Sequence, residues 1–171
     1  MWAKIGPFVS NLKMVRWLDV LVVGFQVYFI LMNVTVERCY CAGPLTATDK
    51  RFLMPETWDF ANHHNPLFLS RPRWMQMATC ISAYGFLPFY ILILAAALLD
   101  RWAAFSIPII SFVGAKTYAI GYYHLMEFTS ATPPPNLVPY FATEAPYILS
   151  IAIVLFQIRT ALAATEKAKT S

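Results

Sequence analysis

The sequence predicts an all-α integral membrane protein built as a four-transmembrane-helix bundle. Three observations carry that expectation. Of 171 residues, 58% are hydrophobic and only 13% are charged, whereas a soluble domain usually carries about a quarter charged residues. The mean hydropathy is +0.54. The apolar residues gather into four runs, each long enough for the ~30 Å of a bilayer's hydrocarbon core. The 12 prolines fall mostly between these runs, where they punctuate.

Residues 1–16 form a short amphipathic interfacial segment with Lys4, Lys13 and Arg16. The first span covers about 17–36. A polar loop rich in Pro, Asn, Asp and His follows, over 37–73. The second span, about 74–99, has Pro88 near its middle, and the carbonyl that a mid-span proline leaves free predicts a kink. Asp100-Arg101-Trp102 makes a tight interfacial turn before the third span, about 103–128. The connection 129–144 contains Pro133-Pro134-Pro135 and no basic residue. The fourth span covers about 145–163, with Glu144 at its first turn, where a negative charge suits the helix dipole. A polar tail, 164–171, closes the chain. Trp17, Trp74 and Trp102 fall at span ends, as an aromatic belt requires.

Four spans place both termini on one side. That side carries Lys4, Lys13, Arg16, Arg101, Arg159, Lys167 and Lys169, and the other carries Arg38, Lys50, Arg51, Arg71 and Arg73. The excess places the termini on the cytoplasmic or equivalent side. The first apolar run is too long for the core of a cleavable signal. With a net charge of +4 and no basic patch, nucleic-acid binding is excluded as a role.

Asn65-Pro66-Leu67, Pro72-Arg73-Trp74 and Phe86-Leu87-Pro88-Phe89 resemble, in order and spacing, the second-helix region of the EXPERA family. That family includes sigma-2-receptor-like and emopamil-binding-protein-like members. Ala145-Pro146-Tyr147 is similar to the start of the family's fourth helix. The resemblance implies a four-helix bundle with an intramembrane pocket for sterols or amphipathic amines. It also implies two acidic site residues, which this chain replaces. The second-helix position is Ser82, and the first-helix position falls at Asn33 or Val34. The His and Glu that a family isomerase carries on its second helix have no counterpart here.

Polar residues inside the spans are the candidate site. Lys116 lies near the centre of the third span, where an ammonium costs roughly 3 kcal/mol on insertion scales. Helical spacing aligns it with Tyr123, His124 and Glu127. Gln26, Asn33 and Glu37 share a stripe on the first span. With Ser82 and Tyr147 these give the candidate ligand-binding set: Gln26, Asn33, Glu37, Ser82, Lys116, Tyr123, His124 and Tyr147. The two stripes either face one pocket or form an interhelical hydrogen-bond seam, and Lys116 has a third option in a neighbouring subunit or a lipid phosphate. The seam or pairing is the more general use of such residues.

No catalytic residue is assigned. A lysine in the pocket repels the carbocation of a sterol isomerisation, and it also disfavours amine guests. Cys39-Tyr40-Cys41 with His63-His64 lacks structural-zinc spacing, so no metal is expected. Cys39 and Cys41 read as free thiols or as separate pairing partners, and Cys80 as a packing residue. The Asn33-Val34-Thr35 sequon is out of reach within a span. No cofactor is expected beyond a bound lipid or sterol.

Two functions follow. The first is a non-catalytic accessory subunit of a larger membrane complex, with the bilayer and neighbouring subunits as partners, in a mitochondrial inner or plastid membrane. The second is a free-standing sterol- or phospholipid-binding protein of the endoplasmic reticulum. A sterol isomerase is a distant third.

Overall fold

A computed structural model describes residues 6–170, with side-chain surroundings from Trp17 onward. The amphipathic segment predicted for 1–16, including Lys4, Lys13 and Arg16, lies outside the described residues in whole or in its side chains, as does Ser171.

The regular structure among the described residues is all helical, in the order α1 (Gly6–Met32), a π-helical turn (Asn33–Glu37), α2 (Arg38–Ala42), α3 (Met54–His64), α4 (Pro66–Ser70), α5 (Arg73–Ile81), a second π-helical turn (Ser82–Phe86), α6 (Leu87–Leu98), α7 (Ser106–Phe128) and α8 (Leu137–Thr170). Three stretches are long and apolar enough to cross a membrane: Trp17–Ala42, Arg73–Leu98 and Leu137–Thr170. At 23 residues α7 is ~35 Å long. Lys116 and its tyrosines make it less apolar than the other three. α1 packs against α6 and α8, while α7 touches α6 and α8.

The π turn Ser82–Phe86 has a local cause. Pro88 donates no hydrogen bond, and its ring crowds the Tyr84 carbonyl four residues earlier. The wide turn Ser82–Phe86 takes up that mismatch immediately before Pro88. The first helical rod continues through its own π turn to Ala42, so Glu37 sits within a helix rather than at the head of a loop. π turns of this kind gather at functional sites, and here the two lie against each other.

The core runs along the packed helices. Val22 and Phe29 of α1 meet Tyr90, Ile93 and Ala96 of α6, Ile109 and Phe112 of α7, and Val154 and Ile158 of α8. Outward-facing positions are also apolar: Val20 and Val27, Ile91, Ile107, Leu125, Val138 and Leu149 are all exposed. That inverts the polar surface of a soluble bundle and suits a lipid surround.

At one end Trp102 is buried, donating from Nε1 to Asp19 Oδ1 at 3.0 Å, and Gln157 of α8 donates to the same carboxylate. Trp102 is therefore a core residue and not part of an aromatic belt. Trp17 is 70% exposed and suits a belt.

At the other end the loop folds into a layer of short helices. Asn65 caps α4, its side chain accepting from the Phe68 amide at 3.2 Å, and Pro66 follows at the first helical position. Tyr40 stacks on Phe68 with ring centroids 4.0 Å apart and donates to the Phe68 carbonyl. The Arg71 guanidinium donates to the Tyr40 and Cys41 carbonyls at the end of α2, at 2.7 and 3.0 Å. A disulfide joins Cys41 to Cys80 of α5, and Cys39 is free. Cys80 is thus a covalent tie and not merely packing. The Cys-x-Cys pair does not offer two thiolates.

α8 departs most from expectation. It begins at Leu137 and runs 34 residues, ~51 Å, through Pro146. Pro139 lies in its first turn, the position a helix tolerates best. Glu144 is accordingly two turns inside the helix rather than at its dipole-facing start.

Candidate functional site

Where the two π turns, α3, α7 and α8 meet, the helices leave a cavity of about 650 Å³. Its volume lies within the range of small-molecule sites, ~300–1,000 Å³. Its walls are mostly apolar, with Tyr28, Phe60, Phe68, Phe86, Tyr90 and Tyr147 contributing aromatic surface. The polar members are Glu37 from the first π turn, Ser82 from the second, Thr79 from α5, Lys116 and Tyr123 from α7, Thr143 and Glu144 from α8, and Glu56, Thr57 and Asn65 from the short-helix layer.

Lys116 is 4% exposed and forms no ion pair; among the described residues the ion pairs are Asp49–Arg51 and Asp59–His63. Its Nζ instead lies over ring faces, 4.2 Å from the Phe29 centroid, 4.4 Å from Tyr90, 4.9 Å from Tyr147 and 5.9 Å from Phe112. Each ring offers its negative face to a cation within about 6 Å. Those rings come from α1, α6, α7 and α8, so the lysine is held at the point where the long helices converge. That arrangement answers the cost of a mid-span ammonium without a salt bridge.

Glu37 is oriented from its own helix: Asn33 Nδ2 donates to its Oε2 at 2.8 Å. Asn33 is fully buried behind it. Glu144 reaches the cavity because α8 starts early and carries it inward. The cavity thus presents one lysine and, from separate elements, Glu37, Glu144 and, at an exposed position, Glu56.

A hydrogen-bonded chain closes one flank. Asn65 Nδ2 donates to the Tyr123 hydroxyl at 3.3 Å, and that hydroxyl donates to Glu127 Oε1 at 3.2 Å. Tyr140 donates to Glu127 Oε2. Glu127 is fully buried, so these donors replace water. Its role is to fix Tyr123 and tie α7 to α8 and α4.

Of the residues proposed from the sequence, Glu37, Ser82, Lys116, Tyr123 and Tyr147 line the cavity. Gln26, Asn33 and His124 do not. Gln26 Nε2 donates to Ser150 Oγ of α8 at 3.0 Å, a buried interhelical bond of the seam kind. Asn33 acts through Glu37. His124 Nδ1 donates to the Ile120 carbonyl at 2.7 Å, and its ring lies among Tyr140, Phe128 and Phe141. The seam and the pocket therefore coexist on different faces of the same helices. Glu144 is the lining residue least legible in the sequence, because Pro146 reads as a helix start. Tyr90 carried no signal beyond an aromatic in an apolar run.

The long apolar helices define an all-helical protein of membrane type, with a charged, aromatic-walled pocket between its helices. No family model, curated protein or solved structure matches the chain.

Proposed function

We propose that this protein binds a hydrophobic small molecule, of sterol or single-chain lipid size, within the cavity. The carrying observation is a mostly apolar pocket of about 650 Å³ into which the charged groups Glu37, Lys116 and Glu144 come from separate elements. An apolar body fits the aromatic walls, and a hydroxyl or carbonyl end finds donors and acceptors at Ser82, Glu37 and Lys116. This keeps the EXPERA-like expectation of an intramembrane pocket but alters its chemistry. Lysine alone argued against amine guests; the carboxylates in the same space remove that bar.

The reading is of binding and not of isomerisation. A sterol carbocation needs ring faces to stabilise it, and here Phe29, Tyr90 and Tyr147 already face the Lys116 Nζ.

In this account α7 also crosses the bilayer, giving four spans with both termini on one side. The Cys41–Cys80 bond supports an orientation. Disulfides persist in oxidising compartments, so we place the α3–α4 layer on the lumenal or exoplasmic side. The basic-residue tally puts the termini opposite.

The test is retention. Protein extracted in a lipid-preserving polymer should carry a stoichiometric apolar molecule by native mass spectrometry. Ala119→Phe, which fills space on the α7 wall, should lower retention at least ~10-fold, the loss expected when about 1.4 kcal/mol of contact is removed. Equal retention by the variant, with its fold intact, would sink the proposal.

The accessory-subunit reading keeps one supporting observation. The last turns of α8, Leu162–Thr170, are exposed and helical, a surface that a neighbouring subunit would cover. Comigration with a large assembly on a native gel supports that role; a monomer-sized band contradicts it.

A further inference from the structure

We infer that Lys116 is a covalent attachment site for an apolar aldehyde, held as a reversible imine in the cavity. This rests on the cavity-binding reading and names the guest's reactive group.

Three features meet at this residue. The amine lines a mostly apolar chamber. It has no carboxylate within salt-bridge distance among the described residues, so no ion pair ties up its nitrogen. Desolvated lysines in apolar pockets are the ones that form imines with carbonyl compounds. Its surroundings also suit the product. The ring faces at 4.2, 4.4 and 4.9 Å that receive Nζ would receive an iminium nitrogen at the same place. Glu37 and Glu144 line the same chamber and can serve as proton donor and then counter-ion. A lysine used only as a bundle tie would not need to border open volume or to share it with two carboxyl groups.

The step balances without a co-reactant once the Lys116 ammonium has passed one proton to the carboxylate of Glu37 or Glu144, leaving a neutral amine and a carboxyl group. The Nζ lone pair adds to the aldehyde carbon, and one amine proton passes to the oxygen, giving a carbinolamine. A carboxyl proton of Glu37 or Glu144 then goes to that hydroxyl, which leaves as water while the C=N bond forms. The nitrogen keeps its second proton, and the carboxylate left behind balances the iminium. Nothing is oxidised or reduced, and hydrolysis reverses the sequence. Asn33, bonded to Glu37 at 2.8 Å, is a positioning residue for that carboxyl.

The experiment uses full-length protein in lipid nanodiscs with two probes of the same shape. All-trans-retinal can form an imine, and all-trans-retinol cannot. After incubation, borohydride reduction and digestion, the retinal adduct should map to Lys116 in preference to the exposed Lys50 and Lys167. Lys116→Met should abolish the adduct, with a circular-dichroism spectrum and elution volume matching wild type certifying its fold; retinol binding to the wild-type protein is read by quenching of intrinsic fluorescence. Glu37→Gln and Glu144→Gln should shift the visible absorption of the unreduced adduct, because the iminium loses its counter-ion. Retinol binding with no Lys116 adduct overturns the imine and leaves the cavity reading standing. Failure of both probes to bind overturns both. Adducts spread evenly over the exposed lysines also overturn it.

Discussion

Breaking the Cys41–Cys80 bond should loosen the layer that covers the cavity. The cross-link spans 39 residues, from the end of α2 to α5, and the intervening chain holds α3 and α4. Chain-entropy reasoning gives ~4 kcal/mol for closing a loop of that length in the unfolded state. The value is an upper figure, because helical segments in detergent-unfolded protein already restrict the loop. The noncovalent ties remain: Arg71 to the Tyr40 and Cys41 carbonyls, and Tyr40 stacked on Phe68. The double variant Cys41→Ser with Cys80→Ala should therefore stay folded but lose about 2–4 kcal/mol in reversible mixed-micelle unfolding. It should also become more open to trypsin at Lys50 and Arg51. In wild type, alkylation without reductant should label Cys39 alone. Labelling of all three cysteines, or a double variant as stable as wild type, would refute the tie.

Further outcomes concern the polar interior. Glu127→Gln should weaken the α7–α8 contact, and a double-mutant cycle with Tyr140→Phe should give a coupling near the upper end seen between membrane helices, about 1–2 kcal/mol; zero coupling would remove Glu127 as a tie. Asp19→Leu should destabilise the opposite end by about 1–3 kcal/mol, because it leaves the buried Trp102 N–H without its acceptor, and a wild-type unfolding curve would contradict this. In the loop, hydrogen bonds from Arg51 hold the Asp49 carboxyl at about 2. Any benefit from that pair is present above the unfolded value and fades only as pH falls through about 2. Arg51→Leu should move the Asp49 titration midpoint up toward about 3.9, read by NMR of labelled aspartate.

The helices were legible because apolar runs and prolines register in any single sequence. The second span was expected at 74–99 and the helical rod runs Arg73–Leu98. Lys116 stood out for the same reason: one charge in an apolar run is costly wherever the run folds. Less visible was anything that depends on which faces meet. Gln26 and Glu37 share a helical stripe, yet the π turn at Asn33–Glu37 rotates Glu37 into the cavity while Gln26 bonds Ser150. Pro146 read as a helix start because proline usually opens helices, but α8 carries it in its interior. Membrane helices tolerate such prolines when neighbours satisfy the freed carbonyl. That single inversion hid Glu144. The Cys41–Cys80 bond left no local signature, since its partners are far apart in the chain and meet only after α2 packs on α5. Trp102 shows a related ambiguity, for a tryptophan at a span end can face lipid headgroups or fold back to a buried carboxylate.

The most direct test of cavity binding is photoaffinity labelling in native membranes with a diazirine-bearing sterol, followed by mapping of the cross-linked peptides. Adducts concentrated on the chamber walls, at Tyr28, Phe86 and Tyr147, and competed away by unlabelled sterol or by a long-chain aldehyde, are expected. Labelling confined to the outward residues Ile107, Leu125 and Val138, unaffected by either competitor, would contradict a bound guest and leave the chamber a structural space between helices.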